Sequence, residues 1–123
     1  MSDCSNNTLA MIVTRAPYHQ RSARMELDVA LAAATLEMPL ALFFLGEGVW
    51  QLAAERNTTQ ARLPRGLKGW AALAQMTEVC YYAESEHLDS LRHHGGTTVV
   101  SAEAMTPGDM TALWRTCRRV FRL

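Results

Sequence analysis

The sequence predicts an α/β protein: one domain, a three-layer sandwich in which helices cover both faces of a five-stranded, mostly parallel sheet. Three observations carry this. Short, continuously apolar runs recur along the chain, and stretches of helical spacing stand between them. A length of 123 residues suits one hydrophobic core and is too short for two. Strands alternating with helices imply parallel pairing, because each crossover helix packs back over the sheet. The domain is expected over residues 8–123, behind a polar, flexible tail at residues 1–7.

The first strand is the apolar run Leu9-Ala-Met-Ile-Val-Thr14, stopped by Arg15-Ala16-Pro17. From Ser22, Met25, Leu27, Val29, Leu31 and Leu36 lie among alanines and form the first helix, with Glu26 and Asp28 near its start, where acidic groups suit the dipole. Pro39 ends it. Leu40-Ala-Leu-Phe-Phe-Leu45 then reads as a strand buried on both faces. A short helix can begin at Val49, and residues 55–60 read as a loop. Leu67, Trp70, Ala71, Leu73 and Ala74 give a second helix over residues 67–76. Glu78-Val-Cys-Tyr-Tyr-Ala83 is the third strand, Ser85 caps a helix that stops at Gly95-Gly96, and Thr97-Thr-Val-Val-Ser101 is the fourth strand. Thr106-Pro107 opens the last helix, whose apolar face is Met110, Leu113, Trp114 and Cys117, and residues 118–123 form a short edge strand.

The flavodoxin-like order 2-1-3-4-5 is the arrangement expected. It places a topological switch point between strands one and three, with residues 15–21 and 83–85 facing the crevice. Arg15, Tyr18, Ala83 and Glu84 are therefore the crevice candidates.

Composition excludes several classes. A formal net charge of zero gives no global drive toward nucleic acid or an anionic membrane. The N-terminus lacks the basic and apolar regions of a secretory signal, and no run reaches the length of a membrane span. Cys4, Cys80 and Cys117 are odd in number, with no Cys-x-x-Cys pair, so neither a disulfide framework nor a zinc site is expected, and a reducing cytoplasm is the simplest setting.

Cys80 is the nucleophile to consider, since sulfur transfer needs an accessible thiolate; inside an apolar strand it reads as a buried, inert thiol. His87, His93 and His94 supply no ligand spacing, and neither a metal nor a cofactor is expected. No glycine interrupts residues 14–22, so a phosphate-cradling first turn is excluded, although Arg15, His19, Arg21 and Arg24 leave anion contact open. Arg115, Arg118, Arg119 and Arg122 form a basic cluster that suits either a solvated helix end or an acidic partner such as tRNA. Gly46-Glu-Gly-Val-Trp-Gln-Leu52 either caps the core or anchors a partner through Val49, Trp50 and Leu52.

Arg15-Ala16-Pro17-Tyr18, Glu26-Leu27-Asp28 and the block from Leu42 to Leu52 together resemble the TusC/DsrF branch of the DsrE-like sulfur-relay family, with Glu47 where that branch usually has Asp. The resemblance implies the DsrE-like fold. It also implies a subunit role beside DsrE/TusD-like and DsrH/TusB-like chains, with self-association of the isolated chain as an alternative. Such complexes relay persulfide sulfur toward tRNA wobble 2-thiouridine or serve sulfur oxidation, and tRNA is then reached at most indirectly. Aligned on the acceptor segment of the carrier subunit, this chain has Ala83 where the acceptor cysteine would stand, with Cys80 three residues earlier. A non-catalytic partner is the reading that follows; a persulfide carrier using Cys80 and a free-standing α/β binding module are the alternatives.

Overall fold

The computed structural model describes residues 8–14, 20–54, 69–94 and 96–122, with the side chains of residues 20–23 left aside. Its centre is a five-stranded parallel sheet of order β4-β3-β2-β1-β5, built from β1 (Leu9–Val13), β2 (Leu40–Phe44), β3 (Val79–Glu84), β4 (Glu103–Met105) and β5 (Arg119–Arg122). Met11 lies beside Leu42 on one side and Phe121 on the other, and Leu42 beside Tyr81. Every residue of β1 and β2 is buried, as continuous apolar runs require when both sheet faces are covered.

The parallel α/β sandwich is as expected, but the strand order is not 2-1-3-4-5. β2 lies between β1 and β3, and the far side of β1 is taken by β5. The reason is burial. In the flavodoxin-like order β2, with five apolar residues, would stand at an exposed edge; here both edges go to short strands carrying Glu103, Arg119 and Arg122. Three successive crossovers then step the same way and lay their helices on one face, and the return from β4 to β5 lays the last helix on the other. The switch point accordingly moves to the boundary between β1 and β5.

Two clusters show the two faces. On the first, Leu9, Met11, Val13, Leu40, Leu42, Phe44 and Ala83 pack against Leu27, Ala30 and Ala34 of α1 (Gln20–Thr35), Trp70 of α2 (Gly69–Ala72), Leu73, and Leu88 and Leu91 of α3 (Ser85–His93). On the second, Ala10, Ala41, Phe43 and Tyr82 meet Met110, Leu113 and Trp114 of α4 (Pro107–Trp114). Phe43 stacks on Tyr82 at 5.0 Å and takes the edge of Trp114 at 5.4 Å, offset and T-shaped geometries that aromatic quadrupoles favour.

Helix ends follow local chemistry. α1 closes with Met38 N–H on Ala33 O and Glu37 N–H on Ala34 O, which holds Glu37 at φ 57 two residues before Pro39. Thr106 accepts from Asp109 N–H at 3.2 Å, with Pro107 in the first turn of α4. Ser85 is not a cap: it is the first residue of α3, and Glu84 occupies the cap position without bonding to its own helix. The helix expected over residues 67–76 is one α turn followed by a tighter 3-10 turn, Leu73–Gln75, while residues 67 and 68 lie outside the described residues.

The stretch 97–101 is not a sheet strand. Thr98 forms a single antiparallel bridge with Ala53, Ala54 N–H bonds to Thr97 O, and Val99 N–H to Leu52 O. These bonds satisfy backbone groups at the end of the preceding 3-10 helix, a need that outweighs strand propensity. β4 joins β3 only from Tyr82 onward. Cys117 lies beyond the end of α4, packs on the second cluster and is disulfide-bonded, where spacing predicts no disulfide.

Candidate functional site

The carboxyl ends of β1, β2 and β3 meet under a 3-10 helix, Gly46–Leu52, that doubles back after β2. Gly46 takes φ 56 to make the turn, and Leu45 N–H bonds to Val13 O at 2.9 Å. Gly48 lies directly against the end of β1: a Cβ there would stand 2.2 Å from Val13 O. Glycine is required at the second position for space, not for dihedral freedom.

Two glutamates stitch this edge together. Glu84, the last residue of β3, reaches across to accept Gly46 N–H at 2.8 Å. Glu26 on α1 is fully buried; its Oε2 accepts Thr14 N–H at 3.1 Å and its Oε1 accepts Gln51 Nε2–H at 2.8 Å. Gln51, also fully buried, accepts Trp70 Nε1–H at 3.0 Å, and Tyr81 Oη donates to Trp70 O at 2.6 Å. The chain of bonds fixes the amide orientation of Gln51, because one end must accept and the other donate. α1, the 3-10 helix, α2 and β3 are thereby joined through polar groups that burial makes costly to leave unpaired. Sequence assigns Glu26 to the helix dipole; α1 starts at Gln20, so Glu26 falls beyond the first turn and serves as an anchor instead.

Burial pushes the Tyr81 phenol from 10.0 up to about 12. The neutral form is the one the fold prefers. The contribution of this group to stability is therefore complete below pH 10 and is lost progressively as pH rises from 10 toward 12. Phenolate absorbance followed through an alkaline titration should show one tyrosine ionising near 12 in the wild type and missing in Tyr81→Phe; identical titrations would refute the assignment.

The structure separates the candidates. Val49 and Leu52 are fully buried in the first cluster, so they cap the core and offer no contact surface, because a 3-10 turn lying on the sheet directs them inward. Trp50 alone of the three stays half-buried, with its ring 6.4 Å from that of His94. Ala83 is fully buried beside Phe44 at the end of β3. Arg15 and Tyr18, with His19 and the Arg21 side chain, lie outside the described residues. His94 Nδ1 lies 2.8 Å from Ser90 O, and among the described residues no three His, Cys, Asp or Glu side chains gather as a metal site. Arg115, Arg118, Arg119 and Arg122 are exposed at and near the β5 edge.

Cys80 differs from its expectation. It is a half-buried thiol outside any disulfide, on the α4 side of the sheet beside Ala41, and lines a cavity of about 300 Å³ with Tyr82, Ser101, Ala102 and Glu103. The cause is the late entry of β4, which pairs with β3 from Tyr82 onward and leaves the first half of β3 without that neighbour. No described helix is long and apolar enough to cross a membrane.

Comparison with known proteins agrees with this architecture. A crystal structure of the YchN protein from E. coli superimposes with a TM-score of 0.67, covering 95% of this chain and 99% of that one at 15% identity, a likeness of fold. The family model described as DsrE/DsrF-like matches residues 7–122, almost the whole chain, and its members suggest a sulfur-relay-related role played in complexes. By sheet, core and family match together, this chain belongs to the DsrE/DsrF-like family.

Proposed function

We propose that the chain is a non-catalytic, TusC/DsrF-like subunit of a cytoplasmic sulfur-relay complex. It stands beside DsrE/TusD-like and DsrH/TusB-like chains that carry persulfide sulfur, as in tRNA wobble 2-thiouridine synthesis or sulfur oxidation. The observation behind this reading is Ala83. It is the next-to-last residue of β3, where the resemblance places the acceptor cysteine, and its buried methyl can hold no sulfur. Cys80 lies on the opposite sheet face, in the second cluster, away from the edge where Glu84 and Gly46 meet. Trp50, half-buried on the 3-10 helix, is the side chain left to contact a sister subunit. Expressed with the DsrE-like and DsrH-like chains of its own genome, the protein should co-purify with both. After incubation with a persulfide donor the DsrE-like chain should gain sulfur and this chain should not. A chain that purifies alone, or that takes up sulfur stoichiometrically, refutes the reading.

The half-buried state of Cys80 and its cavity favour a second reading, a persulfide carrier. The Cys80 thiolate would attack the outer sulfur of a donor persulfide; the donor S–S bond breaks, a new Sγ–S bond forms, and the donor leaves as a thiolate. Peptide mass spectrometry showing one added sulfur on Cys80, absent from Cys80→Ser, would select it over the first.

A further inference from the structure

His87 lies in the first turn of α3, three residues after Glu84, with Nδ1 3.4 Å from Glu84 Oε1. That oxygen is already fixed by Gly46 N–H at 2.8 Å. Nδ1 is buried and closes no hydrogen bond, while the side chain as a whole is 36% exposed. The exposed surface of the side chain therefore lies on atoms other than Nδ1. An unsatisfied buried nitrogen is costly and calls for a reason. An imidazole aimed by a backbone-anchored carboxylate is the arrangement of an oriented base, and such contacts are commonly long until the reacting partner is in place.

We propose that His87, positioned by Glu84, takes the proton of a thiol that a sister subunit brings to this edge of the sheet. The inference rests on the subunit reading above and adds a task to it. The partner's S–H bond breaks, the proton goes to His87 Nε2, and the partner is left as the thiolate that persulfide exchange requires. This chain forms no bond to sulfur. The two chains then divide the work: the carrier supplies sulfur, and this chain supplies the base.

Two measurements test it. Long-range ¹H–¹⁵N spectra of the full chain should show neutral His87 protonated at Nδ1 with Nε2 free, and Glu84→Gln should shift that ring toward the Nε2–H form. An Nε2–H ring in the wild type overturns the proposal. In the complex co-purified with the DsrE-like chain, alkylation of the partner thiol by iodoacetamide should slow about a hundredfold in His87→Gln, at the low end of general-base effects. An intact complex with unchanged alkylation overturns this inference alone; failure of the wild-type complex to form overturns the subunit reading and this inference with it.

Discussion

Trp70→Ala is expected to cost about 4 kcal/mol of folding stability, the range for deleting a buried indole. Trp70 is fully buried, packs edge-on against Phe44 with ring centroids 5.0 Å apart, and donates to Gln51. α2 is a single turn, so little of its own hydrogen bonding holds it in place once the indole is gone. Trp70→Phe separates the two contributions. It keeps most of the apolar ring and removes the donor to Gln51, which should cost about 1–2 kcal/mol for a buried hydrogen bond. Urea unfolding of both variants reads the difference. Equal losses would mean that the hydrogen bond, not the packed ring, fastens α2 to the sheet.

Gly48→Ala is expected to be nearly as damaging, about 3 kcal/mol, at the upper end of overpacking effects. The added methyl would meet Val13 O at 2.2 Å and Val13 C at 2.8 Å, backbone atoms that cannot rotate away. Val13 O also accepts Leu45 N–H, so retreat of either segment breaks a bond at the turn. Gly46→Ala is the control. Gly46 has the positive φ of 56, yet a Cβ there meets nothing within 4 Å, so only the left-handed backbone is penalised, about 1 kcal/mol. Thermal unfolding should therefore rank Gly48→Ala well below Gly46→Ala. The reverse order would show that turn geometry, rather than the approach of the 3-10 helix to β1, limits this region.

Both variants bear on how much could be read in advance. The block Gly46-Glu-Gly-Val-Trp-Gln-Leu52 stands out in the sequence as two glycines around an apolar segment, but its parts have unlike tasks. Gly46 turns the chain, Gly48 admits a carbonyl, Val49 and Leu52 fill the core, and Gln51 carries a buried hydrogen-bond chain. A residue string shows that such a segment is special. It does not show which side chain faces inward, because a tight 3-10 turn lacks the long periodicity from which faces are read. The same limit applies to Glu26 and Gln51, whose partnership spans 25 positions and has no local signal. His87 was legible as a histidine without metal-ligand spacing, and its pairing with Glu84 follows only once α3 is known to begin at Ser85.

By itself, the sequence determined the class of the fold and most of its elements, though not the fourth strand. Continuous apolar runs made β1, β2 and β3 sheet strands, Thr106-Pro107 started the last helix, and Arg119–Arg122 carried the marks of an edge. These are local effects of propensity, capping and burial, written within a few residues of where they act. Tertiary structure decided the strand order, the exposure of Cys80 and the pairing at the carboxyl edge. Each of these depends on which neighbour a strand takes: β2 moves inside because two apolar faces need cover, and β4 enters late, leaving Cys80 half-open. Neighbour choice is a competition among distant segments for the same buried surface.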